Sequence, residues 1–241
     1  MCVADAGRAA NTLRVNQAGY VRHSLTYRRR ACRNYRRAFV PGGTFFFTLV
    51  AYQRRSIFRN EAARRVLGDT IRDCQSKWPF EVVAIVLLPE HLHTIWSLPS
   101  GDAAYPRRWG WIKKEFSKAW LDSGGTQAWV PQSKRNERRL GIWQPRFWEH
   151  TCETVEDFEI RFDYIHYNPV KHGHVRCPHE WPWSSFGRWV EAGVYEESWA
   201  CGQCPPLTVV GQAVPDGTRA VERLEQGMLS EGTMRVMSGT A

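Results

Sequence analysis

The segment FEVVAIVLLPEHLHTIWSLP, residues 80–99, constrains this chain more than any other. The run from Phe80 to Leu88 is almost continuously apolar and of strand length, which suits a strand buried in mid-sheet. Leu88-Pro89-Glu90 interrupts it, because proline fixes φ and has no N–H to give to a ladder. Strand-like alternation resumes from His91, so the pair reads as a β-hairpin. Residues i and i+2 of a strand point to one face, so His91 and His93 project together while Leu92 enters the other side. Two neutral imidazoles at this spacing can ligate one divalent cation, although an isolated HxH pair recurs in many unrelated proteins.

The flanking segments read as further elements. Pro41-Gly42-Gly43 is a turn signal, and the aromatic and β-branched run after it predicts a strand from Thr44 to Ala51. Between Asn60 and Lys77, the residues Ala63, Val66, Leu67, Ile71 and Cys74, with Trp78 just beyond, follow a helical stripe. A second helix is expected from Tyr105 to Trp120, with Trp109, Ile112, Phe116 and Trp120 at helical spacing. Residues 122–140 are rich in Gly, Ser, Gln and Arg and read as a mobile basic loop, and 143–152 as a further strand. Thr154, with Asp157 three residues on, opens a helix whose inward stripe is Phe158, Phe162 and Ile165. Pro169 is expected to close that helix. The order strand, helix, strand pair, helix, strand, helix predicts an α+β fold: a ferredoxin-like sandwich with a central antiparallel sheet and helices packed on one face.

At 241 residues the chain is expected to form one domain with ragged ends. Residues 1–33 read as a flexible basic extension, 34–195 as the folded domain and 196–241 as an acidic, flexible tail. The formal net charge is +9. The tail carries three arginines against six acids, so residues 1–195 carry +12. A basic body favours a polyanionic partner, since each neutralised phosphate releases counterions. Twelve tryptophans, several interleaved with Arg and Lys, suit single strands in particular, because a ring can stack on any base while a cation holds the adjoining phosphate. With seven cysteines, no secretory signal and no apolar run of bilayer length, a cytoplasmic chain with reduced thiols is expected. Cys201 and Cys204 form a lone CxxC, thin ground for a zinc site.

A second constellation lies in DYIHYNPVKHG, residues 163–173. Tyr164 and Asn168 are four apart and share a helix face, distinct from the apolar stripe. A tyrosine attacking a phosphodiester needs a cation to offset developing charge on the phosphate. His91, His93 and an amide oxygen of Asn168 would make a three-ligand site with open positions, suited to Mg²⁺ or Mn²⁺, of which Mn²⁺ matches imidazole better.

The runs NYRRAFVPGGTFFFTL, LPEHLHTIW, WQPRFWEH and YIHYNPVKHGHV, followed by WPWSSF, resemble the REP-associated tyrosine transposases, relatives of the single-strand transposases of insertion sequences. The similarity is collinear over about residues 34–195, and it leaves 1–33 and 196–241 outside. The resemblance implies that His91 and His93 are the HUH pair, Tyr164 the nucleophile and Asn168 the third ligand position, where related transposases often carry Gln. It also implies a substrate of palindromic repeats folded as single-stranded DNA hairpins and cut beside a short guide tetranucleotide. The implied reaction is a transesterification that leaves a 5′-phosphotyrosine and a free 3′-OH able to rejoin strands, with no nucleotide cofactor. Such a protein would work at the nucleoid, without a membrane, as a monomer or a dimer. The rival readings are a replication-initiator-type HUH nickase and a domesticated hairpin-binding protein without turnover. Arg36, Arg37, Arg107, Arg108, Lys113, Lys114, Arg135, Arg138 and Arg139 are candidate phosphate contacts. Lys171 and His172 follow the tyrosine closely enough to neutralise a phosphate, and His150 reads as a satisfied structural histidine.

Overall fold

In a computed structural model that describes residues 37–136 and 140–202 and the short strands at 14–15 and 21–22, the chain divides into two compact units, Met1–Arg36 and Arg37–Ala241. In the first, β1 (Arg14–Val15) pairs antiparallel with β2 (Val21–Arg22). The second is built on β3 (Thr44–Val50), α1 (Glu61–Lys77), β4 (Glu81–Leu87), β5 (His91–Ser97), α2 (Tyr105–Asp122), α3 (Gln132–Asn136), β6 (Trp148–Thr151), α4 (Val155–Lys171) and α5 (Phe186–Glu191). Asn60 caps α1 by accepting from the Ala63 N–H, and Thr154 caps α4 by accepting from Asp157.

The four strands of the second unit lie in the order β4-β5-β3-β6, every neighbouring pair antiparallel. β5 is thus inserted between β3 and β4, the split βαβ arrangement of ferredoxin-like folds. The sheet is covered on both faces, where the sequence led us to expect one. Phe45, Phe47 and Leu49 of β3 pack with Leu92 and Trp96 of β5 against α1 and α2. Phe46 and Ile95, with Val83, Ala84 and Val86 of β4, pack on the opposite side against Phe162 and Ile165 of α4 and Phe186 and Trp189 of α5. The physical reason is the apolar run of β4 itself, which cannot leave either face in water.

Three further expectations are corrected. The basic stretch 122–140 contains the short helix α3. β6 begins at Trp148, with Trp143 forming only an isolated bridge to Ala51. Pro169 does not close α4, which runs on to Lys171. A proline removes only its own donor, and the turn beyond it is kept by His172 N–H donating to the Asn168 carbonyl and Gly173 N–H to Val170.

The thiol expectation is also corrected: Cys177 and Cys201 are joined as a disulfide, while Cys74 and Cys152 are free. The reason is tertiary, since the segment after α5 turns back on residues 176–180, with Gly202 N–H donating to the Arg176 carbonyl. Cys204 lies outside the described residues. Among the described residues no helix is long and apolar enough to cross a membrane.

Candidate active site

The helix face of the sheet that carries His91 and His93 is closed by α4, and a buried network fixes how α4 sits there. The His166 ring contacts the Ser185 hydroxyl at 2.8 Å through Nε2 and the Tyr195 hydroxyl at 3.3 Å through Nδ1. Tyr195 in turn donates to Asp163 Oδ1 at 2.6 Å. Burial holds His166 neutral, pushing its pKa down to about 3. With His166, Phe162 and Ile165 anchored, Tyr164, Asn168 and His172 form the neighbouring stripe, each one turn from the next.

That stripe meets the histidine pair. The His91 and His93 rings stand 4.8 Å apart between centroids, and only 4% and 5% of the two residues is exposed. The Tyr164 ring lies 5.2 Å from His93, and the His172 ring 5.6 Å from His91. Asn168 falls between Tyr164 and His172 on the helix, on the stripe whose two rings meet the histidine pair. It is fully buried, and neither Oδ1 nor Nδ2 has a hydrogen-bond partner among the described residues. A buried amide left unpaired costs about 1–3 kcal/mol, and its oxygen is free to accept a ligand.

The histidines are prepared in the same sense. Glu90 Oε1 lies 3.0 Å from His91 Nδ1, and Thr48 Oγ1 2.8 Å from His93 Nδ1. Each contact engages Nδ1 and fixes the ring orientation, so Nε2 is the nitrogen that could coordinate a metal. Burial, ahead of the neighbouring charges, lowers the His91 pKa to about 4 and holds His93 well below the usual histidine range. Both are therefore neutral near pH 7, the state a metal ligand must have. Two imidazole nitrogens and an orphaned amide oxygen fit a divalent cation of the Mg²⁺ or Mn²⁺ kind.

Glu90 and Thr48 were not singled out from the sequence. Glu90 stands next to His91 in the chain, a signal that could have been used, whereas Thr48 reaches His93 only through the β3–β5 register that pairs them. Arg54 extends the cluster through an ion pair with Glu90 at 3.6 Å.

The predicted phosphate contacts separate into distinct groups. Lys171 stays with the site, its Nζ 4.4 Å from the centre of the Tyr164 ring. Arg37 lies over Phe147 at 4.0 Å and Arg107 over Trp78 at 4.3 Å. Lys114 is exposed and paired with Glu115, and Arg135 is exposed on α3. Lys113 donates to the Gln144 and Pro145 carbonyls. Arg36, Arg138 and Arg139 lie outside the described residues. His150 is paired with Asp157 at 2.7 Å on β6.

Arg108 is a structural residue, contrary to the sequence expectation. It is 2% exposed, forms an ion pair with Asp102 and donates to the Trp78 and Pro79 carbonyls. A charge run on a helix does not reveal which member turns inward. Arg108→Ala should therefore cost about 3 kcal/mol of stability, because it strands a carboxylate and two carbonyls. Lys114→Ala should leave stability within about 0.5 kcal/mol of the parent. Urea denaturation of both variants checks this, and equal midpoints for the two would refute the inward assignment.

Two buried histidines, with a helix-borne tyrosine against one of them, on a ferredoxin-like sheet, make the class of site that can pair a divalent cation with a tyrosine nucleophile. Comparison with known proteins makes this particular. A REP-associated tyrosine transposase of Escherichia coli K12 is 41% identical over 166 residues, covering 69% of this chain and 90% of the relative. A Haemophilus influenzae protein provisionally given the same designation is 39% identical over 178 residues, covering 74% of this chain and 98% of the relative. A solved structure described as a REP-associated tyrosine transposase bound to a REP hairpin superposes with a TM-score of 0.58 at 38% identity, covering 72% of this chain and 95% of that one. No family model matches the chain. The chain belongs to the REP-associated tyrosine transposases.

Proposed function

We propose that this protein is a metal-dependent HUH endonuclease that binds hairpin-forming single-stranded DNA and cuts and rejoins it through a 5′-phosphotyrosine on Tyr164. The observation that carries the reading is the α4 stripe whose Tyr164 and His172 rings meet His93 and His91, with Asn168 between them buried and unpaired among the described residues. His91, His93 and Asn168 would hold Mg²⁺ or Mn²⁺, which when bound supplies positive charge to the non-bridging oxygens of the scissile phosphate. Thr48 and Glu90 keep the imidazoles oriented for it. Tyr164 attacks phosphorus through its hydroxyl oxygen, forming the O–P bond as the bond to the 3′-oxygen breaks. The proton lost by the phenol is balanced by the one the departing 3′-oxygen takes up. Lys171, over the Tyr164 ring, meets the phosphate with a mobile positive charge. The later attack of a 3′-OH on the phosphotyrosine reverses these steps and rejoins strands, so no nucleotide cofactor is required.

The hairpin substrate is carried over from the relative solved with a REP hairpin, and with it we propose that the protein acts in the cytoplasm, at the nucleoid. Its support in this chain is the basic body together with an exposed aromatic beside the site. Trp148 is 49% exposed and packs edge-on against Phe46, which in turn stacks on His93. Labelled single-stranded repeats from the source genome, incubated with Mn²⁺ or Mg²⁺, should give a covalent protein–DNA band that chelation of the metal prevents. Absence of a band with every repeat strand tested would sink the proposal. Hairpin affinity should also fall by about 10³-fold or more between 50 mM and 200 mM salt if six or more phosphates are contacted. Single strands should outcompete perfect duplex of equal length, because only unpaired bases can stack on Trp148. Equal competition by duplex would count against a single-strand site.

A further inference from the structure

Among the described residues, a further group of ligating side chains converges away from the cluster just described. Cys177, His179 and Cys201 place their Sγ and ring-nitrogen atoms within 4.8 Å of one another. We propose that these three residues, with the cysteines reduced, form a zinc site that staples the segment 176–180 to the segment 198–202. This site is independent of the Tyr164 chemistry and shares no residue with it.

Ligands arranged tetrahedrally around zinc at about 2.3 Å sit roughly 3.8 Å from one another. The Cys177 and Cys201 sulfurs, bonded to each other in the disulfide, part to that distance once reduced, and the His179 ring nitrogen lies within 4.8 Å of both. Thiolate and imidazole donors are also the set that selects zinc over Mg²⁺ or Mn²⁺. His179 is oriented for the role: its Nδ1 donates to the Glu197 carbonyl at 3.1 Å, leaving Nε2 to coordinate. The two segments are already registered around the cluster. Glu180 accepts from the Arg176 and Cys177 N–H groups, and Cys201 N–H donates to the Ser198 carbonyl. In the sequence Cys177-Pro-His179 is a CxH pair, and Cys201 follows His179 by 22 positions.

The disulfide and the zinc site are alternative states of the same two sulfurs. A dithiol reductant exchanges with the Cys177–Cys201 bond, leaving two thiols in the protein and becoming a cyclic disulfide itself. On binding zinc each thiol gives up its proton, so the site weakens as pH falls.

The test uses the full chain, reduced with a dithiol, freed of it anaerobically and titrated with Co²⁺. Tetrahedral thiolate coordination gives an intense sulfur-to-cobalt charge-transfer band, which the His91, His93 and Asn168 cluster cannot produce because it has no sulfur. The expected result is such a band, saturating at about one equivalent per chain and displaced by Zn²⁺. It should be lost in Cys177→Ser and in Cys201→Ser and kept in His179→Cys, with added thiolate intensity. A reduced, folded parent chain that gives no band, or a band that survives Cys177→Ser, would overturn the proposal and leave the pair as a disulfide only.

Discussion

Tyr164→Phe is expected to abolish the covalent DNA adduct, below about 10⁻³ of the parent, while hairpin affinity changes by less than about threefold. The substitution deletes only the oxygen that forms the O–P bond, and no other group can replace a covalent nucleophile. The control is Tyr167, one residue from Asn168. At about 100° per residue, Tyr164 lies roughly 40° from Asn168 around the helix axis, whereas Tyr167 lies about 100° away. The structure places the Tyr164 ring 5.2 Å from His93. Tyr167 is buried on its own side of the helix, and Tyr167→Phe should keep adduct formation within about tenfold, the loss of a hydroxyl being worth about one hydrogen bond. Denaturing gels with labelled hairpin read both variants. An adduct that persists in Tyr164→Phe and vanishes in Tyr167→Phe would transfer the nucleophile to Tyr167.

The second large effect concerns the three residues proposed to hold the metal. His91→Ala and His93→Ala should each reduce cleavage by at least about 10³-fold while hairpin binding largely persists, because a basic body offers phosphate contacts away from the two histidines. Asn168→Leu separates this from a structural role. Among the described residues the buried amide has no partner, so an apolar group of nearly the same shape should raise apo stability by about 1–2 kcal/mol while cleavage is lost. Thermal unfolding with metal chelated, beside the adduct assay, gives both readings. Lower apo stability in Asn168→Leu would mean that the amide serves the fold. Fully active His93→Ala protein would remove the site assignment altogether.

Much of the site was legible because its spacings are local. The HxH pair needs only the alternation of a strand, and the Tyr164–Asn168 pair only the period of a helix, so the side chains that share a face could be named without knowing what they meet. The same local signals placed the strands and the long helices to within a few residues. They misjudged the end of α4, because the cost of Pro169 is one missing donor and the neighbouring turns still close. They also missed α3 and α5, which are too short for a helical stripe to stand out from a polar or tryptophan-rich background.

What the sequence determined by itself is therefore periodic and local: which residues alternate into a core, which pairs share a face, and that the body is cationic. Tertiary structure alone decided the long-range pairings. The β3–β5 register sets Thr48 on His93, and the packing of α4 brings Tyr164 to one histidine and His172 to the other. The same folding turns Arg108 inward onto Asp102 and brings Cys201 back to Cys177 across 24 residues. The physical reason is that a side chain's partner, burial and protonation state are set by whatever the fold lays against it, and contacts between distant segments leave no periodic trace in one chain.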